Sequence, residues 1–246
     1  MKALLLAAGL GTRLRPITDT LPKCLVPING RPLLDYWISH LGKHNFVNEI
    51  IINTHHLPDQ VRKYIITSPW SSRIRLVHEE ILLGTGATLA QQRDSLSNED
   101  FLLAHADNLT IFDLRKFIEC HKSRPAGCVA TMMTFNSDDP QSCGIIEKDE
   151  KGIVYNMHEK VAVPPSILAN AAVYLFNPDI WKLMDKFSLL DIFDISKDII
   201  PQLYGRIFTY HNNIYHRDIG NLLSLRLAED EFPEIYSIFE EANGFL

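Results

Sequence analysis

The chain opens with an apolar run that leads directly into a glycine-rich loop, and this pairing restricts the fold more than any other feature. Residues Lys2–Ala8 form a continuous apolar run, which is typical of a strand buried on both faces. Gly9 and Gly11 follow at once, where a chain bends without steric cost and presents backbone N–H groups to an anion. We therefore predict an α/β fold whose first strand delivers a phosphate-binding loop.

Strand and helix patterns alternate over the first half of the chain. The predicted strands are Glu49–Asn53, Ile74–His78, Phe101–Ala104 and Cys128–Met133. The predicted helices are Pro32–Lys43, Asp59–Ile66, Thr85–Asp94 and Leu114–His121. This alternation predicts a Rossmann-like, mostly parallel sheet with crossover helices.

The rhythm changes after about Asn136. Two predicted strands flank a turn at 149–152, two more follow, and helices are expected on both sides of Pro233. These elements are Gly144–Lys148, Ile153–His158, Ala171–Phe176, Arg206–Tyr210 and the helix Leu222–Glu231. We predict a smaller, partly antiparallel insertion. Because no Pro/Gly/Ser-rich linker occurs, one domain is expected over 1–246, with halves at about 1–135 and 136–246.

Composition excludes several classes of protein. The formal net charge is −6 and no long Lys/Arg run occurs, which disfavours a nucleic-acid partner. No stretch of about 18 apolar residues is present, so no membrane-spanning helix is expected. The apolar N-terminus is too short for a signal peptide. Cys24, Cys120, Cys128 and Cys143 form no CxxC pair, so we predict reduced thiols in a cytoplasmic protein.

The glycine-rich loop differs from two common nucleotide-binding loops. A dinucleotide loop requires a third Gly where Leu14 stands, and a Walker loop requires a Gly-Lys-Ser/Thr that is absent. Instead, the sequence from Gly9 to Thr18 reads Gly-x-Gly-Thr-Arg-Leu-x-Pro-x-Thr, and residues 22–27 read Pro-Lys-x-Leu-x-Pro. This pair of motifs resembles the signature of the sugar-1-phosphate nucleotidylyltransferase family.

The resemblance implies an enzyme that transfers a nucleotidyl group from a nucleoside triphosphate onto a sugar 1-phosphate with Mg²⁺ and releases pyrophosphate. It also implies the nucleotide-binding residues, which are Leu6, Ala7, Ala8, Gly9, Gly11, Thr12, Arg13, Lys23, Glu80, Gly84 and Thr85. Arg13 and Lys23 are the expected catalytic residues, because two anionic substrates repel each other and cations must hold them in line.

The stretch from Glu79 to Ala87 resembles the family's second nucleotide loop, with two departures. Leu82 stands where a Pro is usual, and Gly86 precedes the alanine that it commonly follows. A structural alternative is a helix N-terminus capped by Thr85, and both interpretations can hold together. The Leu-Gly-Thr-Gly form is more similar to guanylyl members that act on mannose or heptose 1-phosphate than to the Gln-rich uridylyl and thymidylyl members.

Two aspartates are the expected metal ligands. Asp107 follows a buried strand, at the end that faces the ligand crevice in open α/β sheets, and Ala106 replaces the family's usual Gly. Asp218 lies in a Tyr-x-x-Asp-Ile-Gly stretch that resembles the family's second metal motif. Mg²⁺ prefers oxygen ligands, so the neighbouring His105 and His216 are not expected to bind it.

The resemblance assigns the sugar side to the second half of the chain. Gly144 would let its backbone approach the sugar, with Cys143 replacing the usual aromatic residue. Glu159 would accept hydrogen bonds from sugar hydroxyls, Lys160 would hold the sugar phosphate, and Asn170 would contact hydroxyls.

Alternatives remain open at this point. They are a uridylyl- or thymidylyltransferase acting on a hexose 1-phosphate, a phosphocholine cytidylyltransferase, and a regulatory subunit that binds nucleotide sugar without catalysis. The expected partners are a nucleoside triphosphate and a sugar 1-phosphate, with no nucleic acid and no membrane. The sequence leaves the oligomeric state open, a homodimer included.

Overall fold

A computed structural model describes residues 1–187 and 189–242, which fall into two compact units. Unit 1 consists of Met1–Leu4, Leu82–Ala104 and Asp113–Asn213. Unit 2 consists of Leu5–Ile81, His105–Phe112 and 214–242. Each unit is therefore assembled from three separate stretches of chain.

The strands of the described residues follow the predicted order, with additions. They are β1 Lys2–Leu6, β2 Pro27–Ile28, β3 Arg31–Pro32, β4 Glu49–Thr54, β5 Ile74–His78, β6 Phe101–His105, β7 Asn108–Ile111, β8 Ala130–Asn136, β9 Gly144–Lys148, β10 Val154–Glu159, β11 Leu168–Phe176, β12 Ile207–His211 and β13 Tyr215–Asp218. The short strands β2, β3 and β7 were not predicted, and β13 is formed by the motif that carries the second aspartate.

The α-helices of the described residues are α1 Ile17–Thr20, α2 Leu33–Gly42, α3 Pro58–Thr67, α4 Thr85–Gln91, α5 Arg93–Leu96, α6 Leu114–Lys122, α7 Ile180–Met184 and α8 Leu222–Ala242. Short 3-10 turns occur at Thr12–Leu14, Lys23–Leu25, Ser71–Arg73, Pro140–Ser142, Asp185–Phe187 and Ile200–Leu203, and a π-helical turn at Ile195–Ile199. Within the described residues, no helix combines the length and apolar character needed to cross a membrane.

Unit 1 contains a mixed sheet in the order β10-β9-β11-β6-β1, to which β1 and β6 contribute the residues that lie in this unit. Strand β11 pairs antiparallel with β6, β8 and β9, and β12 joins β8 in parallel. The predicted hairpin of β9 and β10 is confirmed, with Glu159 opposite Gly144. Phe101 and Trp181 stack at a centroid distance of 5.6 Å in the core of this unit.

Unit 2 holds the end of β1 beside β4, and β4 beside β5 in parallel register. A two-stranded antiparallel ribbon joins β7 to β13, and β2 and β3 form a hairpin whose turn residues Asn29 and Gly30 both have positive φ, as a type I′ turn requires. The α/β fold class, with a mostly parallel central sheet and smaller antiparallel sheets, is confirmed.

The C-terminal helix departs from the sequence-based expectation. A break at Pro233 was predicted, and this was wrong, because α8 continues through that residue to Ala242. A proline inside a helix leaves the carbonyl four residues earlier without its usual donor. Here that carbonyl, on Glu229, accepts a hydrogen bond from the Asn29 side-chain amide at 3.2 Å. Burial of Phe232 in the core of unit 2 further stabilises the helix on both sides of the proline.

Candidate active site

The glycine-rich loop of unit 2 is folded tightly around Gly11. This residue has φ +64°, and a Cβ there would lie 2.9 Å from Thr18 Cγ2 and 3.0 Å from Lys23 Cβ. The Thr18 hydroxyl donates a hydrogen bond to the Gly11 carbonyl at 2.8 Å. Leu14 is fully buried and anchors the following 3-10 turn. Only glycine fits at position 11, and the loop brings Thr12 and Arg13 to its exposed side.

The start of the loop is held by a buried polar network that the sequence did not reveal. The Ala7 N–H donates to Asn53 Oδ1 at 2.6 Å, and the Asn53 amide donates to Glu79 Oε1 at 2.8 Å. The Glu79 N–H donates in turn to the Thr54 carbonyl at 2.8 Å. Asn53 and Glu79 are each 4% exposed, whereas Glu80, the predicted nucleotide residue, is exposed. A polar residue at the end of strand β4 was the only sequence signal for this support.

The two predicted metal ligands belong to unit 2 and lie next to each other. Asp107 lies between β6 and β7, and Asp218, the last residue of β13, is paired with Asn108 in the ribbon of β7 and β13. The Ile219 N–H donates to the Asp107 carbonyl at 3.2 Å. Trp37 Nε1 donates to the Asn108 carbonyl at 2.7 Å and so fixes the start of β7. The ribbon therefore brings the Asp218 carboxylate next to Asp107, which directly precedes β7.

Lys23 lies against both carboxylates. Its Nζ is 2.5 Å from Asp107 Oδ2 and 3.8 Å from Asp218 Oδ1, and its side chain is 8% exposed. Burial disfavours the charged carboxylate of Asp107, but the charges of Lys23 and His105 outweigh it and hold the pKa of Asp107 at about 2. Asp107 is therefore anionic at neutral pH, and the Lys23 ammonium lies against it.

The donor set fits a magnesium ion. Across the described residues, no group of three or more His, Cys, Asp or Glu side chains is arranged to hold a metal ion. Mg²⁺ commonly takes only one or two carboxylates and completes its octahedron with phosphate oxygens and water. Asp107 and Asp218 supply that number of hard oxygen donors around the Lys23 ammonium.

Arg13 points its guanidinium towards the same place while remaining open to solvent. Its Nη2 is 4.0 Å from Asp218 Oδ2, and 61% of its side chain is exposed. A Cβ at Gly220 would lie 3.0 Å from Arg13 Nη2, so the guanidinium packs against a glycine and has little room on that side. The geometry brings the two predicted catalytic cations, Arg13 and Lys23, to one pair of aspartates.

Two ionisable side chains of unit 2, His216 and Cys24, are held neutral by burial. His216 Nδ1 lies 2.8 Å from the Thr110 hydroxyl, and burial lowers the pKa of His216 to about 3. Burial raises the pKa of the Cys24 thiol to about 12, so this cysteine stays protonated. The described cysteines are all free thiols.

In unit 1 the predicted sugar residues Gly144 and Glu159 lie side by side. A Cβ at Gly144 would lie 2.8 Å from Glu159 Oε2 and 3.2 Å from Met157 Sδ. Lys160 has a left-handed backbone with φ +52°, and its Nζ is 4.0 Å from Glu159 Oε1. The strand pairing therefore lays an acidic group over a glycine, next to an exposed ammonium.

Asn170 joins this group through Met157. Its Nδ2 lies 3.8 Å from Met157 Sδ and donates to the Tyr174 hydroxyl at 2.7 Å. Its Oδ1 accepts from the Ala172 N–H at 2.9 Å, across a bulge in which Ala172 has φ +52°. The bulge fixes the orientation of the amide.

The predicted nucleotide residues Gly84 and Thr85 begin helix α4 in unit 1. Gly84 is the N-cap residue and Thr85 is the first helical residue, so the alternative prediction of Thr85 as the cap was wrong by one position. Gly84 has φ +79°, a conformation that disfavours any residue with a side chain.

Comparison with known proteins identifies the family. A sequence model of nucleotidyl transferases matches residues 2–234. The chain belongs to the nucleotidyl transferase family. It is 33% identical over 209 residues to the mannose-1-phosphate guanylyltransferase catalytic subunit beta of Dictyostelium discoideum, covering 82% of this chain and 56% of that protein. It is 28% identical over 221 residues to a UTP–glucose-1-phosphate uridylyltransferase of Synechocystis, covering 82% and 55%.

A solved structure has a similar fold. The crystal structure of HddC from Yersinia pseudotuberculosis, complexed with GMP-PN, superposes with a TM-score of 0.77 at 24% identity and covers 94% of this chain and 99% of that chain. At this identity the likeness supports the fold. The chain spans about half the length of the curated relatives it matches.

Proposed function

We propose that this nucleotidyl transferase family member transfers a nucleotidyl group from a nucleoside triphosphate onto a sugar 1-phosphate and releases pyrophosphate. The observation that carries this proposal is the meeting of Asp107, Asp218 and Lys23 beside Arg13 in unit 2. Two carboxylates and two cations gathered beside the glycine-rich loop match the charge pattern that joining two phosphate-bearing substrates requires.

The metal site would consist of Asp107 and Asp218. A bound Mg²⁺ would neutralise and orient the α-phosphate during displacement. The loop backbone from Leu6 to Thr12 would bind the nucleotide, held in place by Asn53 behind Ala7. Arg13 and Lys23 would stabilise the charge that develops on the pyrophosphate leaving group. No side chain has to remove a proton, because the attacking sugar phosphate is already anionic at neutral pH.

The sugar-binding role belongs to unit 1 in this proposal. Glu159 over Gly144 offers a carboxylate for sugar hydroxyls, and the oriented amide of Asn170 offers a second polar contact. Lys160, whose ammonium is largely exposed, would hold the sugar phosphate. The left-handed backbone at Lys160 is the kind of strain that clusters at ligand sites.

GTP with mannose or heptose 1-phosphate is the proposed substrate pair. The Leu-Gly-Thr-Gly sequence of the second loop and the relatives named as mannose-1-phosphate guanylyltransferases support it. A uridylyl transfer to a hexose 1-phosphate remains the second candidate, because a relative of similar identity is named as a glucose-1-phosphate uridylyltransferase. We further propose a cytoplasmic location, in keeping with the free thiols.

A pyrophosphate-release assay tests the proposal. The protein is incubated with Mg²⁺, each of four nucleoside triphosphates, and glucose, mannose or heptose 1-phosphate. We expect release with GTP and mannose or heptose 1-phosphate, and its loss when the metal is chelated. Release with none of the pairs would overturn the proposed reaction, and release with UTP and glucose 1-phosphate would favour the second candidate.

Variants test the residues that carry it. Arg13→Ala should lose about 3 kcal/mol of transition-state stabilisation, or roughly 100-fold in kcat/KM, as other lost oxyanion donors do. Asp107→Asn should lower kcat/KM by at least the same factor, because an amide is a poorer ligand for Mg²⁺. Arg62→Ala, which removes an exposed arginine paired with Asp59 on α3, is the matched control. Near wild-type turnover in Asp107→Asn would exclude the proposed metal site.

A further inference from the structure

Helix α4 begins against a segment that is distant in sequence. Its first backbone N–H groups donate hydrogen bonds to residues 193 and 194 of the same unit. Thr85 N–H donates to Asp194 Oδ1 at 3.2 Å, and the N–H groups of Gly86 and Ala87 donate to the Phe193 carbonyl at 2.9 Å and 3.3 Å. The first turn of a helix normally needs a cap from the residue just before it, and Gly84 has no side chain to give one. Asp194, 109 residues further along the chain, supplies the cap.

The contact is reciprocal and is itself supported. The Thr85 hydroxyl donates to Asp194 Oδ1 at 3.2 Å and accepts from the Ile195 N–H at 2.9 Å. The Asp194 N–H donates to Asp198 Oδ2 at 2.7 Å, across the π-helical turn at 195–199. A carboxylate that accepts from a helix N-terminus forms a charge-assisted hydrogen bond in a favourable dipole. Thr85 therefore holds the Asp194 side chain, and Asp198 holds the Asp194 backbone.

The same segment explains both glycines of the loop. A Cβ at Gly84 would lie 2.7 Å from the Phe193 carbonyl oxygen, and a Cβ at Gly86 would lie 2.5 Å from the Phe193 ring. The first clash is with the backbone and the second is with the side chain of Phe193, which is only 5% exposed. Neither group can move without disturbing its surroundings. The close approach that demands glycine at 84 and 86 is made by the chain itself.

We infer that Asp194 is a positioning residue for nucleotide binding, which acts by fixing the geometry of Gly84 and Thr85 before the nucleoside triphosphate arrives. The inference rests on the proposed function, in which Gly84 and Thr85 bind the nucleotide. A preorganised loop improves binding by reducing the ordering cost. Loss of Asp194 therefore weakens binding of the triphosphate, and it leaves the phosphoryl chemistry and sugar binding in place.

The test compares Asp194→Ala with wild type in the pyrophosphate-release assay, using GTP and mannose 1-phosphate. We expect KM for GTP to rise about tenfold, with kcat and KM for mannose 1-phosphate each within about twofold of wild type. Asp194→Asn keeps an acceptor oxygen and should recover most of the loss. Asp191→Ala, at an exposed aspartate three residues earlier, should behave as wild type.

Thr85→Val replaces the hydroxyl by a methyl group, and it should raise KM for GTP by less than Asp194→Ala does. In the double variant the two effects should not add, because both substitutions break the same contact. Amide hydrogen exchange of the peptide over 84–91 supplies a readout besides activity, since Asp194→Ala should exchange faster there while GTP still slows exchange at high concentration. If Asp194→Ala does not fold, Asp194→Asn and Thr85→Val carry the same comparison.

The outcomes separate the two proposals. Absence of pyrophosphate release by wild type with every substrate pair rejects the proposed function. Release by wild type, with KM for GTP unchanged within twofold in a folded Asp194→Ala or Thr85→Val protein, rejects the positioning role. A parallel fall in kcat and in affinity for both substrates also rejects it, because a general loss of structure would then explain the effect.

Discussion

Gly144→Ala should separate sugar binding from stability. The added methyl group would lie 2.8 Å from Glu159 Oε2 and 3.2 Å from Met157 Sδ, and real Cβ atoms do not approach oxygen so closely. Both neighbours are the ends of flexible side chains, so the carboxylate and the thioether can rotate away. The strand keeps its pairing, while the carboxylate leaves the position from which it would accept hydrogen bonds from the sugar.

The expected magnitude follows from this geometry. A hydrogen bond to a charged group contributes about 1.5–3 kcal/mol, and a loss of about 2 kcal/mol corresponds to a rise in KM of roughly 30-fold. The free energy of unfolding should change by less than about 1 kcal/mol, because alanine in place of glycine also reduces the entropy of the unfolded chain. The φ of Gly144 is not in the left-handed region, so no backbone strain opposes the substitution.

Steady-state kinetics with saturating nucleoside triphosphate and varied sugar 1-phosphate measure the effect, and thermal unfolding measures stability. Glu159→Ala should raise KM by a similar factor. The double variant should be little worse than either single variant, because both remove the same carboxylate contact. Additive effects, or an unchanged KM in a folded Gly144→Ala protein, would refute the assignment of Glu159 to the sugar.

Three further outcomes are expected. Ala172→Gly should raise the free energy of unfolding by up to about 1 kcal/mol in a denaturant titration. Ala172 has φ +52°, and that conformation costs about 1–2 kcal/mol for a residue with a side chain. The control Ala171→Gly, at the fully buried neighbour, should lower the free energy of unfolding. Arg217→Ala removes the ion pair with both carboxylate oxygens of Glu231 on helix α8. Because Arg217 is next to Asp218, the Mg²⁺ concentration needed for half-maximal turnover should rise several-fold in a metal titration. His121 is buried with its pKa lowered to about 3 by burial, so folding should lose stability as pH falls below about 6.5, with His121→Gln flattening that slope by about 1.4 kcal/mol per pH unit.

The sequence predicted much of the fold because its signals are local. The apolar run of β1 and the alternating elements that follow it need only a short window, and their bounds agree with the structure to within a few residues. The two motifs likewise predicted Gly11 and Arg13 on the glycine-rich loop and Lys23 on a later loop, and the structure places Lys23 in the 3-10 turn after α1. The break predicted at Pro233 was wrong for a non-local reason, since the Asn29 amide satisfies the carbonyl that the proline leaves open.

The supports of the candidate site could not be predicted in the same way. Asn53 holds the Ala7 backbone from a different strand, and Asp194 caps a helix 109 residues before it. No periodicity or spacing connects such pairs, because only the folded chain brings them together. The roles of Glu159, Lys160 and Asn170 in binding sugar stay predictions, although the structure brings Glu159 and Asn170 close to the same methionine.

The discontinuous make-up of the two units limits how this protein can be dissected. Because each unit takes its residues from three stretches of sequence, no single cut and no simple truncation yields either unit intact. A protease nick near residue 82 or 213 would leave two fragments whose strands are paired with each other in the intact fold. Excised halves are therefore poor subjects for binding studies, and point variants of the whole chain are the better tool for testing the proposed nucleotide and sugar sites separately.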